Sequence, residues 1–231
     1  AGSIGWELAR EALGFHPFCL ILVDQDESGL FMTTDELKQR SSSAQLVPVV
    51  ADIKNAERMD QLFEEIKPQV VFHAAAYKHV PLMETYPEEA VRTNILGTGV
   101  MAKAAMKSGC EMFVYVSTDK AVNPTSIMGA TKRFGEMMCQ FFNEKSATRF
   151  VAVRFGNVLD SRGSVIPLFR SQLKRGGPLE VTHPDMQRYF MLTPEACLLV
   201  MEASAIGQGG EVFVLDMGKP VKILDVAHEM I

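Results

Sequence analysis

The segment Ser-Thr-Asp-Lys-Ala-Val-Asn-Pro-Thr-Ser-Ile-Met-Gly-Ala-Thr-Lys, residues 117–132, decides the fold prediction. It directly follows an apolar run, Met112 to Val116, which is typical of a buried parallel strand. A helix is predicted to begin near Ser126, and Met128 and Lys132 share one of its faces because they are four residues apart. A strand, a loop and a helix in this order indicate an open α/β sheet, in which ligands bind at the carboxyl ends of the strands.

This arrangement resembles the extended short-chain dehydrogenase/reductase superfamily, with one departure. Enzymes of that superfamily usually carry Tyr-x-x-x-Lys on the corresponding helix, whereas Met128 stands at the tyrosine position here. None of the four tyrosines is followed four residues later by lysine. With its other motifs, the chain is similar to the nucleotide-sugar 4,6-dehydratases of bacterial polysaccharide biosynthesis. Among them it resembles the UDP-N-acetylglucosamine 4,6-dehydratases that have methionine at this position.

The resemblance implies a carbon–oxygen lyase that uses NAD to convert a UDP-N-acetylhexosamine, expected to be UDP-N-acetylglucosamine, into a 4-keto-6-deoxy sugar. Elimination of water needs one protein group that acts as an acid at one carbon and another that acts as a base at the neighbouring carbon. We therefore expect Asp119 to protonate the leaving hydroxyl and Lys120 to handle the carbon 5 proton, with Thr118 near the carbon 4 oxygen. Lys132 is implied to bind the nicotinamide ribose, and Met128 cannot act as a base. The alternative for Met128 and Lys132 is a core methionine beside a solvated lysine.

Two hypotheses from other classes share part of this pattern. A nucleotide-sugar 4-epimerase would use the same cofactor and the same first hydride step. It needs no acid and base at carbons 5 and 6, and it normally relies on the missing tyrosine. A non-catalytic dinucleotide-binding sensor would keep the fold, but it would have no reason to retain Asp119 and Lys120 beside Lys132. Both comparisons favour dehydration.

The start of the chain and several strand ends supply the candidates for cofactor binding. Gly-Ser-Ile-Gly at residues 2–5 looks like the end of a dinucleotide-binding glycine motif, where a pyrophosphate rests on a helix N-terminus. Asp24 would accept hydrogen bonds from ribose hydroxyls and make NADP less favourable than NAD; alternatively, it caps the next segment. For Asp52 the resemblance implies an adenine contact, and a helix N-cap is the alternative. The predicted set is Gly2, Ser3, Ile4, Gly5, Asp24, Asp52, Ile53, Ala74, Ala75, Ala76 and Lys132.

A second set of polar residues is predicted to hold the substrate. The segment 161–164, Ser-Arg-Gly-Ser, offers hydroxyls, amides and a guanidinium that suit phosphate oxygens, although it would also suit an ordinary surface loop. Arg188 is predicted on the diphosphate because a planar guanidinium can bind two oxygens. For His79 a structural role is the alternative, and Asn94, in a helix predicted from Pro87 to Ser108, is implied to position the catalytic loop. The predicted set is Lys78, His79, Asn157, Ser161, Arg162, Ser164 and Arg188.

Strands alternate with helices along the chain, which predicts a doubly wound, mainly parallel Rossmann-type α/β sheet. Residues 1–155 are expected to form an NAD-binding domain and residues 156–231 a small substrate-binding portion that is incomplete at its C-terminus. A short strand is predicted at Leu179 to Val181. The central first strand of such a sheet would precede Gly2 and is missing from the sequence. We therefore expect a segment of a longer polypeptide whose upstream residues supply that strand.

Composition limits the expected partners. The formal net charge of −5 gives no electrostatic reason to expect nucleic acid or an anionic membrane as a partner. The four cysteines are far apart and lack a Cys-x-x-Cys motif, so we expect reduced thiols and no metal site. No run approaches the ~18 apolar residues of a membrane span. We expect a homo-oligomer that binds a UDP-sugar in the cytoplasm, either alone or as the cytoplasmic domain of a longer membrane-anchored protein, without membrane contact from this segment.

Overall fold

Strands and helices alternate in the computed structural model, which describes residues 1–40, 44–159, 161 and 163–231. The strands are β1 (Cys19–Asp24), β2 (Gln45–Val50), β3 (Val70–His73), β4 (Met112–Val116), β5 (Arg149–Arg154), β6 (Asn157–Val158), β7 (Gln187–Arg188), β8 (Phe190–Met191), β9 (Val212–Val214) and β10 (Val221–Lys222). The α-helices are α1 (Ser3–Leu13), α2 (Glu27–Arg40), α3 (Ala56–Ile66), α4 (Val80–Thr85), α5 (Pro87–Ala90), α6 (Thr98–Ser108), α7 (Ile127–Asn143), α8 (Val165–Lys174), α9 (Thr193–Ile206) and α10 (Ile223–Met230). A π-helical segment, Val91–Gly97, joins α5 to α6, and a 3₁₀ turn, Asp119–Ala121, follows β4.

The main sheet is parallel, with the strand order β3-β4-β5-β9, and β1 and β2 form a separate parallel pair. Two small ladders complete the strand pairing: β6 with β8 in parallel, and β7 with β10 in antiparallel orientation. The predicted doubly wound, mainly parallel α/β fold is confirmed. Strand β9 comes from the predicted substrate-binding portion and forms the edge of the main sheet. The division after residue 155 stays a prediction, as does an additional first strand.

Strand β4 is buried along its whole length, which explains its uninterrupted apolar sequence. Successive side chains of a strand point to opposite faces of the sheet. Phe113 and Tyr115 accordingly pack in a core cluster shared with α3, α6 and α7, whereas Met112, Val114 and Val116 pack in a second cluster shared with α1 and α9. Helices therefore cover both faces of the strand that leads into the segment at residues 117–132.

The long helix predicted from Pro87 to Ser108 is interrupted by the π-helical segment. This segment contains Asn94, whose Oδ1 accepts a hydrogen bond from the Tyr77 amide at 2.8 Å. The Asn94 Nδ2 donates to the Tyr77 carbonyl and to Thr131 Oγ1, both at 3.0 Å. π-Helical turns occur frequently at functional sites. Asn94 therefore connects the loop after β3 to α7, and its implied role in positioning the catalytic loop stays a prediction.

The predicted strand at Leu179 to Val181 is wrong. Both side chains instead pack against a small cluster around the buried Phe169 and Ile223. The cysteines are unpaired, as expected for reduced thiols. Within the described ranges, no helix combines the length and the apolar character that a bilayer crossing requires.

Candidate active site

The carboxyl ends of β3, β4 and β5 carry the segments that form the site. These strands are parallel neighbours in one sheet, so their ends meet at a single edge. Residues 74–79 follow β3, Thr118 begins the turn after β4, and Asn157 lies shortly after β5. The structure thus brings the candidate catalytic turn together with parts of both predicted binding sets.

The turn after β4 holds a hydrogen-bonded acid and amine. Thr118 caps the turn: its Oγ1 accepts from the Lys120 amide at 3.4 Å and donates to Asp119 Oδ1 at 2.9 Å. Lys120 Nζ donates to the same Asp119 oxygen at 2.9 Å and to Asn157 Oδ1 at 2.8 Å. Asp119 and Lys120 are therefore in direct contact, and Asn157 fixes the amine from the neighbouring strand end.

A second lysine reaches this edge from the loop after β3. Lys78 Nζ donates to Ser161 Oγ at 3.5 Å. Burial, and then the positive charge of Lys120, lowers the pKa of Lys78. Burial and the charge of Lys78 lower the pKa of the adjacent His79, whose ring packs so closely on Gly163 that a β carbon there would lie 2.6 Å from it. The predicted substrate-binding residues after β3 and β5 therefore lie close together.

Two other predicted substrate-binding residues, Ser164 and Arg188, have different contacts. Ser164 is the N-cap residue of α8, and its buried Oγ has no hydrogen-bond partner in the described part of the chain. Arg188 lies on β7 and donates to the carbonyl oxygen of Gln187 at 2.8 Å. Its role on the diphosphate stays a prediction. Arg162 lies outside the described residues.

Helix α7 packs directly against the turn that carries Lys120. Ser126 caps the helix by accepting a hydrogen bond from the Gly129 amide at 3.1 Å. A β carbon at Gly129 would lie 2.3 Å from the Lys120 carbonyl oxygen, so only glycine permits this approach. The preceding residue, Met128, is buried in a cluster with Met83. Met128 is therefore a core residue that lies beside the turn.

Lys132 lies one helical turn beyond Met128 and is 6% exposed, so the alternative of a solvated lysine is wrong. Its Nζ lies 4.1 Å from the centroid of the Tyr115 ring. Burial lowers the pKa of Lys132 from its ordinary 10.5 to about 7, although Cys139 and Glu136 act in the opposite direction. The Lys132 amino group therefore changes its charge near neutral pH.

A buried carboxylate connects α7 to two of the strand ends. Glu136 accepts hydrogen bonds from Ser117 Oγ at 2.6 Å, Arg154 Nε at 2.7 Å and Arg133 Nη1 at 2.9 Å. Burial alone would raise the pKa of Glu136, but the hydrogen bonds from Arg154, Ser117 and Arg133 hold it below the usual 4.5. Ser117 precedes the turn and Arg154 ends β5. The network therefore fixes the positions of both segments relative to Lys132.

A cleft gathers most of the predicted cofactor-binding residues. It lies where β1, β2 and β3 end, and the small side chains after β3 leave room for a ligand to approach the backbone. Ser3, Ile4 and Gly5 lie in the first turn of α1 and do not line the cleft. The predicted residues that do line it are Gly2, Asp24, Asp52, Ile53, Ala74, Ala75 and Ala76.

Other residues supply the helix caps that were the alternatives for the two aspartates of the cleft. Asn55 caps α3, while Asp52 pairs with Lys54 Nζ at 3.3 Å. Asp26 accepts the hydrogen bond from the first turn of α2, and Asp24 accepts one from the Asp26 amide at 2.9 Å. Both Asp24 and Asp52 keep their carboxylates at the cleft.

Sequence reasoning missed Thr93 as a residue of the cleft. Thr93 is 7% exposed and lines the cleft from the π-helical segment, and its buried Oγ1 has no hydrogen-bond partner among the residues described. An unpaired buried hydroxyl costs about 1 to 3 kcal/mol, so a polar ligand atom that paired with it would be favoured. The other lining residues that were missed are Val23, Gln25, Ala51, Lys54 and Tyr77.

Comparison with known sequences gives a family match over the whole chain. The family model described as "Polysaccharide biosynthesis protein" matches residues 1–231. Capsular polysaccharide biosynthesis protein CapD of Staphylococcus aureus is 55% identical over 232 residues, and probable polysaccharide biosynthesis protein EpsC of Bacillus subtilis is 52% identical over 231. Both alignments cover 100% of this chain, but the chain spans only 39% of the length of either relative. A UDP-glucose 4-epimerase of Rickettsia canadensis is 38% identical over 84% of this chain and 58% of its own length.

Solved structures share the fold over the full length of the chain. The X-ray structure of Pen from Bacillus thuringiensis matches with a TM-score of 0.93 and 36% identity, covering 100% of this chain and 70% of that one. DesIV, a dTDP-glucose 4,6-dehydratase of Streptomyces venezuelae solved with NAD bound, matches with a TM-score of 0.89 and 20% identity, covering 100% and 77%. At 20% identity, the likeness to DesIV concerns the fold alone.

Proposed function

The chain belongs to the polysaccharide biosynthesis protein family, and on that premise we propose that it uses NAD to dehydrate a UDP-N-acetylhexosamine across carbons 5 and 6. UDP-N-acetylglucosamine is the expected substrate, and a 4-keto-6-deoxy sugar is the expected product. One observation carries the proposal: Lys120 Nζ and Asp119 Oδ1 are hydrogen-bonded at 2.9 Å at the edge where parallel strands end. An elimination needs such a pair, because one group must take a proton while another gives one.

The residues of the cleft fit NAD. The Asp24 carboxylate suits the ribose hydroxyls, residues 74–76 are small, and the Thr93 hydroxyl lacks a partner in the described chain. Lys132 would bind the nicotinamide ribose. The chemistry that the cofactor would supply is hydride transfer, from carbon 4 of the sugar and back to carbon 6. DesIV, which was solved with NAD, has the same fold and supports this choice.

Replacing Asp24 by alanine is expected to weaken NAD binding roughly 10-fold to 100-fold, because hydrogen bonds to a charged group are lost. NADP binding should weaken less, since the change also removes repulsion of the 2′-phosphate. Calorimetry with each dinucleotide checks the ratio of the two affinities. Asp216→Asn removes a carboxylate that does not line this cleft and serves as the control. An unchanged ratio in Asp24→Ala would remove Asp24 from cofactor selection.

The Asp119 and Lys120 pair can supply both proton transfers of the elimination. A proton moves from Lys120 Nζ to Asp119 along their hydrogen bond, which leaves a neutral amine and a carboxylic acid. The amine takes the carbon 5 proton and the acid protonates the carbon 6 hydroxyl, which leaves as water. These two transfers restore the original ion pair. The Lys120 ammonium can then return a proton to carbon 5 after carbon 6 has been reduced.

The carbon 4 hydroxyl needs a different proton acceptor. The thioether of Met128 cannot serve, and the side chain is packed in the core. A water held near Thr118 or Lys132 accepts that proton first in this proposal. The Thr118 hydroxyl is hydrogen-bonded to Asp119, so it offers a path by which the proton can reach the pair after Lys120 has returned its own proton to carbon 5.

The close packing at Gly129 predicts how the position of the catalytic turn affects the rate. Gly129→Ala places a β carbon 2.3 Å from the Lys120 carbonyl oxygen, so the turn with Asp119 must move. A displacement of about 1 Å can reduce a rate roughly 100-fold, and we expect a loss of that size in dehydration with NAD affinity unchanged. Gly99→Ala is the control, because the new β carbon meets only the flexible end of Met138. Normal turnover in Gly129→Ala would show that this spacing is unimportant.

Incubation of the protein with NAD and UDP-N-acetylglucosamine tests the function. Mass spectrometry should detect a product that has lost one water. A nucleotide-sugar 4-epimerase is the second candidate, favoured by the relative in Rickettsia canadensis, and it would give a new sugar of unchanged mass. Met128 at the tyrosine position argues against that outcome. A protein that binds NAD and converts neither this sugar nor related UDP-sugars would support a non-catalytic sensor.

We also propose that the protein forms a homo-oligomer. Phe134, Met137 and Phe141 are exposed along one face of α7, spaced by three and four residues. This spacing produces a continuous apolar stripe on a helix, and a second copy of the chain could cover it. Sedimentation equilibrium is expected to give a mass of at least two chains. A monomer at all accessible concentrations would contradict the proposal.

A further inference from the structure

Lys132 and Tyr115 make a contact that the proposed mechanism does not yet use. Tyr115 is fully buried on β4, and the Lys132 ammonium lies over its ring, 4.1 Å from the centroid. A cation at this distance is attracted by the negative face of an aromatic ring. Gly135, on α7, makes the contact possible, because a β carbon there would lie 2.2 Å from the tyrosine oxygen. The ring thus fits against the helix that carries Lys132.

We propose that Tyr115 is the positioning residue for Lys132: its ring holds the ammonium charged and in place toward the nicotinamide ribose. The inference concerns the ring and not the phenol, because it is the ring face that lies against the Lys132 amino group. The proposal rests on the proposed function only through the role of Lys132 in NAD binding. It does not depend on which sugar is processed.

The groups around Lys132 leave it as the one that titrates near neutrality. On α7, burial raises the pKa of Cys139 to about 12, and hydrogen bonds hold the pKa of Glu136 below 4.5 despite its burial. On β3, burial and the charge of Lys132 lower the pKa of His73 to about 3. On β4, burial raises the pKa of Tyr115 well above 10. Among these described neighbours, Lys132 is therefore the group whose charge changes between about pH 6 and pH 8.

The test is the pH dependence of NAD affinity, measured by calorimetry without any sugar. In the unaltered protein, NAD affinity should fall as the pH rises through about 7, because Lys132 loses its charge. We call this fall in affinity the pH step, and Lys132→Met should abolish it. Tyr115→Phe keeps the ring and should leave the step where it was. Tyr115→trifluorophenylalanine keeps the shape of the ring but weakens its negative face, so the fall in affinity should move to lower pH by roughly 0.4 to 1.5 units.

Tyr115→Leu removes the ring and should move the step in the same direction. At a pH just above the original midpoint, NAD binding should be roughly 2-fold to 30-fold weaker than in the unaltered protein. Phe113→Leu is the matched control: Phe113 is equally buried on the same face of β4 but packs with His73 and Phe150 instead of Lys132. It should lower stability and leave the pH step unchanged. The fluorinated variant carries the test if Tyr115→Leu fails to fold.

Three results would overturn the inference. They are an unchanged step in the fluorinated variant, a shifted step in Phe113→Leu, and a step that survives in Lys132→Met. Because NAD affinity is measured without any sugar, this test can fail or succeed independently of the proposed dehydration. A protein that shows the expected shifts but leaves UDP-N-acetylglucosamine intact would contradict dehydration and support the role of Tyr115. A protein that does not bind NAD would contradict both.

Discussion

Replacing Asp119 by asparagine should reduce the rate of dehydration by about 100-fold to 10,000-fold, the usual loss when a general acid is removed. The amide fills nearly the same volume and can still accept hydrogen bonds from Thr118 and Lys120 through its oxygen. It cannot release a proton to the leaving hydroxyl. The rate is measured from the loss of one water from UDP-N-acetylglucosamine, and NAD affinity, measured in parallel, should not change.

The control for this variant is Asp60→Asn. Asp60 is an exposed residue of α3 that pairs with Lys107, and it does not contact the turn after β4. Its replacement should leave both turnover and NAD affinity as they were. If Asp119→Asn turned over at the rate of the Asp60 control, Asp119 would not be the acid, and the role given to its pair with Lys120 would be wrong.

Glu136→Gln is expected to destabilise the fold by about 3 to 5 kcal/mol, because it leaves the largely buried Arg154 guanidinium without its charged partner. The Glu136 side chain is completely buried and bonded to Arg154 and Arg133, and an amide cannot neutralise either guanidinium. A loss of this size is a large part of the ~5 to 15 kcal/mol that stabilises a typical domain. Urea unfolding of the variant and the unaltered protein measures the difference.

Glu89→Gln provides the matched control for Glu136→Gln. It breaks an ion pair of the same spacing with Arg92 on an exposed surface, and such pairs contribute about 0 to 1 kcal/mol. A loss below ~1 kcal/mol in Glu136→Gln would show that the buried network does not stabilise the fold.

The network at Glu136 also predicts how stability depends on pH. Its hydrogen bonds hold the pKa of Glu136 in the folded state below the ordinary 4.5, despite the opposing effect of burial. The stabilisation is therefore fully present above about pH 4.5 and is lost as the pH falls through the lower, folded-state value. Glu136→Gln should accordingly reduce the acid sensitivity of unfolding, with a smaller difference from the unaltered protein at low pH than at pH 7.

The fold and the candidate catalytic turn could be predicted because both follow from the succession of neighbouring segments in the sequence. Thr118, Asp119 and Lys120 come directly after an apolar strand, and the parallel sheet requires that strand end to lie at the ligand-binding edge. Contacts between distant segments could not be predicted in this way. No pattern in the sequence predicts that Glu136 binds Arg154, which lies on β5. None predicts that Lys132 lies over the ring of Tyr115.

One residue of the cleft was not predicted from the sequence. Thr93 was missed because a regular helix does not reveal a π-helical segment, which contains Thr93 here. Lys78 and Ser161, both predicted to bind the substrate, are in contact, whereas the described contact of Arg188 is with the Gln187 carbonyl, and its role stays a prediction. A suitable side chain indicates what it could bind, while only the fold determines which other residues it meets.

The most direct test of the central claim is the mass of the product formed from UDP-N-acetylglucosamine and NAD in deuterated water. If Lys120 removes and returns the carbon 5 proton while Asp119 releases the hydroxyl, the product should lack one water and carry deuterium at carbon 5. The hydride moved from carbon 4 to carbon 6 should remain ordinary hydrogen. A product of unchanged mass, or one that has lost water without deuterium at carbon 5, would contradict the proposed roles of this pair.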